Sequence, residues 1–100
     1  MKKILIVDDE PNIVMTLEYT FKKSNYEVFI ARDGQEALDI LKTNFPDVII
    51  LDIMMPMVDG FATLVQIRKD DNLQHTKVMF LSAKNKESDI EKGLALGADA

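Results

Sequence analysis

Four short apolar runs rich in β-branched residues, Ile4 to Val7, Tyr26 to Ala31, Val48 to Leu51 and Val78 to Leu81, are each followed by a stretch in which apolar residues recur at helical spacing. This alternation constrains the fold more than any other feature. Strands that alternate with helices of about 10 to 15 residues return through right-handed crossovers, which makes the sheet parallel and covers both its faces. The third run is apolar at every position from Val48 to Leu51, as a strand buried on both sides must be, and it is closed by a carboxylate, Asp52. The expected class is α/β, in the order β-α-β-α-β-α-β-α.

The punctuation between the runs agrees with this order. Pro11 suits the first turn of a helix, where its missing N–H costs nothing, and the acids before it face the positive end of the helix dipole. That helix runs to about Lys23 with Ile13, Val14, Leu17 and Phe21 inward, and Ser24-Asn25 ends it. Glu27 inside the second strand points to an edge position with one wet face. Asp33 to Glu36 forms a capping box, opening a helix that carries Ala37, Leu38 and Leu41 inward and stops before Phe45-Pro46. A third helix starts near Gly60, with Asp59 as turn residue and N-cap, and presents Phe61, Leu64, Val65 and Arg68 at helical spacing. A polar loop from Asp70 to Thr76 follows it, and a fourth helix begins at about Lys86 with Ile90, Leu94 and Ala95 as its apolar positions.

Composition removes several function classes. A chain of 100 residues is one domain with one core. A formal net charge of −5 with no basic stripe argues against nucleic acid or anionic membrane as a partner of this segment. There is no cysteine, so thiolate metal sites and thiol nucleophiles are excluded, and a reducing, cytoplasmic setting is expected. The apolar run behind Lys2-Lys3 is only four residues long before Asp8-Asp9-Glu10, too short for a signal peptide or a membrane span.

In a parallel sheet the strand carboxyl ends open on one side, and ligands bind where neighbouring strands send their helices to opposite faces. Three such ends carry polar side chains: Asp8 and Asp9 after the first strand, Asp52 after the third, Ser82 after the fourth. If the first and third strands are neighbours, three carboxylates converge. Two unit charges about 4 Å apart repel by roughly 4 kcal/mol at an effective dielectric of 20, so such a group calls for a counter-ion. Mg²⁺, a hard cation that takes few carboxylates and keeps several waters, fits an oxygen-only donor set. A cation there would also collect a phosphoryl group, a carboxylate can attack phosphorus to give an acyl phosphate, and Ser82 could hydrogen-bond the transferred group.

The Asp8-Asp9 pair, Asp52 with Pro56 four and Gly60 eight residues later, and Ser82-Ala83 after the fourth strand resemble the receiver domain of bacterial two-component response regulators. The resemblance spans essentially the whole chain. It implies a flavodoxin-like doubly wound sheet of strand order 2-1-3-4, with a fifth strand to follow. It implies that Asp52 accepts phosphate from a sensor histidine kinase, that Asp9, Asp52 and the Met54 backbone carbonyl bind Mg²⁺, with Asp8 acting directly or through water, and that Ser82 is the switch hydroxyl. The family's lysine at the end of strand five and its aromatic switch residue fall outside these 100 residues, and Gly97-Ala98-Asp99-Ala100 resembles the approach to that strand. The expectation is therefore a receiver domain over 1–100 that lacks its last strand and helix.

Other residues take plainer readings. His75 sits in the polar loop with no second ligand at metal spacing and is read as surface, and Lys84 is read as solvated. The side chains of Met54, Met55 and Met57 pack the loop or offer a soft docking surface. A phosphatase of the haloacid dehalogenase type would need a general acid two residues after its nucleophile, where this chain has Met54. A second alternative is a truncated or non-phosphorylating module that self-associates through helix four or the edge of the fourth strand.

Overall fold

The computed structural model describes residues 2–52 and 60–81. Four strands, β1 (Lys3–Val7), β2 (Glu27–Ala31), β3 (Val48–Asp52) and β4 (Lys77–Leu81), form one parallel sheet in the order β2-β1-β3-β4. Between them lie α1 (Pro11–Lys23), α2 (Gly34–Ile40) and α3 (Gly60–Lys69). The flavodoxin-like reading therefore holds. β2 lies at an edge of the sheet and Glu27 is exposed there, as its charge required. The fourth helix expected from Lys86 lies outside the described residues.

Register is set at the amino-terminal end of the sheet. Asp47 N–H donates to the Lys3 carbonyl at 2.9 Å, and the Lys3 N–H donates to the Asp47 carboxylate at 2.8 Å, clamping β1 to β3 from both sides. The Glu27 and Lys77 amides extend the pattern to β2 and β4 by donating to the carbonyls of Lys2 and Asp47. Thr76, only 6% exposed, donates its hydroxyl to the Pro46 carbonyl at 2.9 Å, so a buried proline carbonyl is satisfied from the segment entering β4.

Alternate strand positions then divide the side chains between two faces. Leu5, Val7, Ile49, Leu51 and Val78 meet α2 and α3 through Ala37, Leu41, Leu64 and Ile67 in the principal core. Leu73 joins them from a 3₁₀ turn at Asp71–Leu73, inside what the sequence suggested was a featureless polar loop. Arg68 holds that turn, donating to the Thr76 carbonyl at 2.9 Å. The opposite face carries the row Ile30, Ile6, Ile50, Met79, matched in register across all four strands. Among the described residues α1 packs mainly on β1 and β2, and none of its residues is fully buried. Exposure on this row accordingly rises from 0% at Ile6 to 9% at Ile50 and 44% at Met79.

The helix ends follow local chemistry. Glu10 caps α1 by accepting the Asn12 N–H, and Asp33 caps α2 by accepting the Glu36 N–H at 2.8 Å. Asn25 takes φ 67°, the left-handed conformation that asparagine tolerates at a helix exit. α2 ends at Ile40, earlier than the Phe45-Pro46 stop suggested. The amides of Lys42 and Thr43 turn to the carbonyls three residues back, and the Asn44 side chain takes the Ile40 carbonyl, so the last turn tightens before the proline is reached.

Replacing Thr76 by valine keeps the shape but orphans the Pro46 carbonyl. We expect a loss of about 1–3 kcal/mol, read in urea unfolding as a lower midpoint at an unchanged m-value.

Candidate functional site

The central strands deliver the acids. Val7 and Leu51 are Cα partners, so Asp8 and Asp52, each one residue further on, leave the sheet side by side. Asp8 continues the β1–β2 ladder, its N–H donating to the Ala31 carbonyl at 3.1 Å. Its carboxylate accepts the Glu10 N–H at 2.9 Å, folding the chain tightly into the cap of α1. This turn leaves Asp8 only 2% exposed while Asp9 stays open to solvent. Asp52, the last residue of β3, is half-buried.

One oxygen from each of Asp8, Asp9 and Asp52 lies within 4.8 Å of the others. The convergence expected from the sequence is thus present in the fold. Three oxygen donors of graded exposure on a rigid strand end, with open space on the Asp9 side, fit a hard divalent cation that keeps part of its water. They do not fit a soft or nitrogen-seeking metal. Met54 and Ser82 lie outside the described residues, as do Asp59 and Lys84, while His75 is exposed, in keeping with a surface role.

Beside the acids runs a cleft of about 450 Å³, bordered by Asp8 and Asp9, by Val14, Met15 and Glu18 of α1, and by Arg32 just past β2. Neither Arg32 nor the α1 residues stood out in the sequence as site residues. Only the β1–β2 pairing brings the end of β2 to the acids, and a lone arginine before an N-cap carries no motif of its own.

An acid cluster at the carboxyl end of the central strands of a doubly wound sheet, where β1 sends its chain to one face and β3 to the other, defines a flavodoxin-like domain with its site at the topological switch point. The family model for the response regulator receiver domain matches residues 4–100. The alkaline phosphatase synthesis transcriptional regulatory protein PhoP of Bacillus subtilis is 45% identical over 98 residues, which cover 98% of this chain and 40% of that protein. This chain therefore spans about two fifths of that relative's length. Chemotaxis protein CheY4 of Vibrio cholerae matches with a TM-score of 0.92 at 34% identity, over 98% of this chain and 82% of that one. The receiver domain of sensor histidine kinase PA1611 from Pseudomonas aeruginosa, solved with magnesium coordinated in its active-site cleft, matches with a TM-score of 0.89 at 26% identity, over 98% and 80% of the two chains. The chain belongs to the response regulator receiver domain family, the signalling domains of two-component systems.

A cation held between the three acids would relieve their mutual repulsion, so Mg²⁺ bound there would stabilise the fold. At ten times its dissociation constant, Mg²⁺ is expected to add about 1.4 kcal/mol to unfolding by mass action. The gain should be absent in Asp9→Asn, whose metal-free form should be no less stable than wild type. A melting temperature insensitive to Mg²⁺ in both proteins would contradict the metal assignment.

Proposed function

We propose that this chain is the phosphoacceptor domain of a cytoplasmic response regulator, phosphorylated on Asp52 by a sensor histidine kinase. The observation that carries this reading is the convergence of Asp8 and Asp9 on Asp52 at the end of the central strand. A carboxylate oxygen of Asp52 attacks the phosphorus of a phosphohistidine. The new O–P bond forms as the N–P bond breaks, and the histidine leaves with its electron pair and takes up a proton. Asp8 and Asp9 would hold Mg²⁺ together with Asp52 and the Met54 carbonyl, and the magnesium named for the Pseudomonas receiver supports this. When bound, the ion supplies charge neutralisation and orientation of the phosphoryl oxygens. The cluster rather than Asp52 alone is the functional unit: Asp8 is fixed by its bond from Glu10 N–H, and Asp9 is free to adjust.

Ser82 is assigned the switch hydroxyl, turning toward the phosphoryl group and biasing the neighbouring surface toward a second arrangement. The domain is a signalling switch rather than a turnover enzyme, with neither membrane nor nucleic acid as a partner of this segment.

Residues 1–100 are further proposed to be a receiver whose last strand and helix belong to chain beyond Ala100. The apolar row that ends at the exposed Met79, and the larger size of solved relatives, support this. Adding about 20 to 25 natural residues should then raise the melting temperature and the m-value together, since more surface becomes buried. Should the additional residues leave both unchanged, the alternative of a self-associating module gains, and size-exclusion chromatography of residues 1–100 would show it as a dimer.

The phosphoacceptor reading is tested with acetyl phosphate and Mg²⁺. Labelling is expected in the wild-type protein and is expected to vanish in Asp52→Asn and on chelation of the metal. Labelling that survives Asp52→Asn sinks the assignment.

A further inference from the structure

Arg32 stands one residue past the Val7–Ala31 pair, as Asp8 does on the neighbouring strand, and borders the same cleft as Asp8 and Asp9. The cleft has two other charged neighbours to consider. Glu18 is already matched by Lys22, its carboxylate 3.1 Å from the ammonium. Arg32 is different: it is exposed, and among the described residues its guanidinium has no ion-pair or hydrogen-bond partner. Its guanidinium thus borders one cleft with two of the three converging carboxylates, Asp8 and Asp9.

The charge balance suggests a use. Three carboxylates and one Mg²⁺ leave about −1, which the family's strand-five lysine would bring to about zero, and a phosphodonor adds about −1.5 to −2. An anion approaching from the cleft is then under-neutralised unless a further cation stands at the mouth. A guanidinium is permanently charged, weakly hydrated and shaped to meet phosphoryl oxygens with two donors at once. We propose that Arg32 is a specificity-determining residue for phosphoryl transfer, the counter-charge at the mouth of the Asp8–Asp9–Asp52 cluster that favours donors of higher negative charge. This rests on the phosphoacceptor reading above. The same charge must oppose Mg²⁺, so Arg32 also weakens the metal affinity of the unphosphorylated site.

The test uses the full-length protein with Arg32→Glu, Arg32→Gln and Arg32→Lys. Magnesium titration by calorimetry, which needs no phosphorylation, should show about threefold to tenfold tighter binding in Arg32→Glu at low ionic strength, with Arg32→Gln between it and wild type. The difference should collapse near 1 M salt, where the screening length falls to about 3 Å. At saturating Mg²⁺, labelling by dianionic acetyl phosphate should slow about threefold to tenfold more than labelling by monoanionic phosphoramidate in Arg32→Glu, and Arg32→Lys should retain the wild-type ratio. Unchanged magnesium affinity, or an unchanged ratio between the two donors, overturns the role of Arg32 and leaves the phosphoacceptor reading standing. Failure of the wild-type protein to label with either donor overturns both.

Discussion

The pairing of β1 with β3 at the centre of the sheet is the contact on which the rest of the molecule depends. It is clamped at one end by the reciprocal bonds between Lys3 and Asp47 and opens at the other on Asp8 and Asp52. The two ends have opposite electrostatic character. At the clamp, backbone donors meet the Asp47 carboxylate and the Lys3 carbonyl. At the open end, like charges are held together, at a cost of roughly 4 kcal/mol for a pair at about 4 Å and an effective dielectric of 20. Leu5, Val7, Ile49 and Leu51, all fully buried between the clamp and the acids, each contribute about 1.5–3 kcal/mol, enough in sum to outweigh that repulsion. The register set by the clamp is what prevents the acids from sliding apart, because a one-residue slip would send every side chain of β3 to the other face.

The two faces of the sheet are not equally finished. The face under α2 and α3 is closed, and Leu73 from the 3₁₀ turn completes it. The face under α1 is closed over β1 and β2 and thins toward β4, where Met79 is exposed. A helix about 10 Å wide covers only about two strands of a sheet whose strands are about 4.8 Å apart, so α1 by itself does not reach Met79 on β4. The site lies on the rim between these faces. Its acids depend on the closed core, while its cleft borders the exposed side of α1.

Much of this was legible in the sequence. The four β-branched runs located the strands to within a residue, because parallel strands buried on both faces leave few alternative patterns. The acids were legible by their places at strand ends, and the strand order then brought them together. What escaped has common physical causes. Leu73 and Thr76 are buried by tertiary contacts that a polar local composition does not reveal, and Arg68 serves carbonyls five and eight residues away rather than a helical face. α2 stopped early because the amides of Lys42 and Thr43 turn to carbonyls three residues back, a tightening that no residue type in the sequence announces. Arg32 and the α1 side of the cleft became visible only once β1 and β2 were paired, since their relation to Asp8 is across strands and not along the chain.

Function then turns on a single chemical bond. If the central strand exists to present Asp52 as a phosphoryl acceptor, the product is an acyl phosphate, and borohydride reduces an acyl phosphate to an alcohol. The most direct measurement is therefore peptide mass spectrometry after exposure to phosphodonor and Mg²⁺ and then to borohydride. The account predicts homoserine at position 52 and aspartate preserved at positions 8 and 9. Homoserine at one of those two positions instead, or a borohydride-resistant phosphate on a hydroxyl residue with Asp52 unaltered, would contradict it.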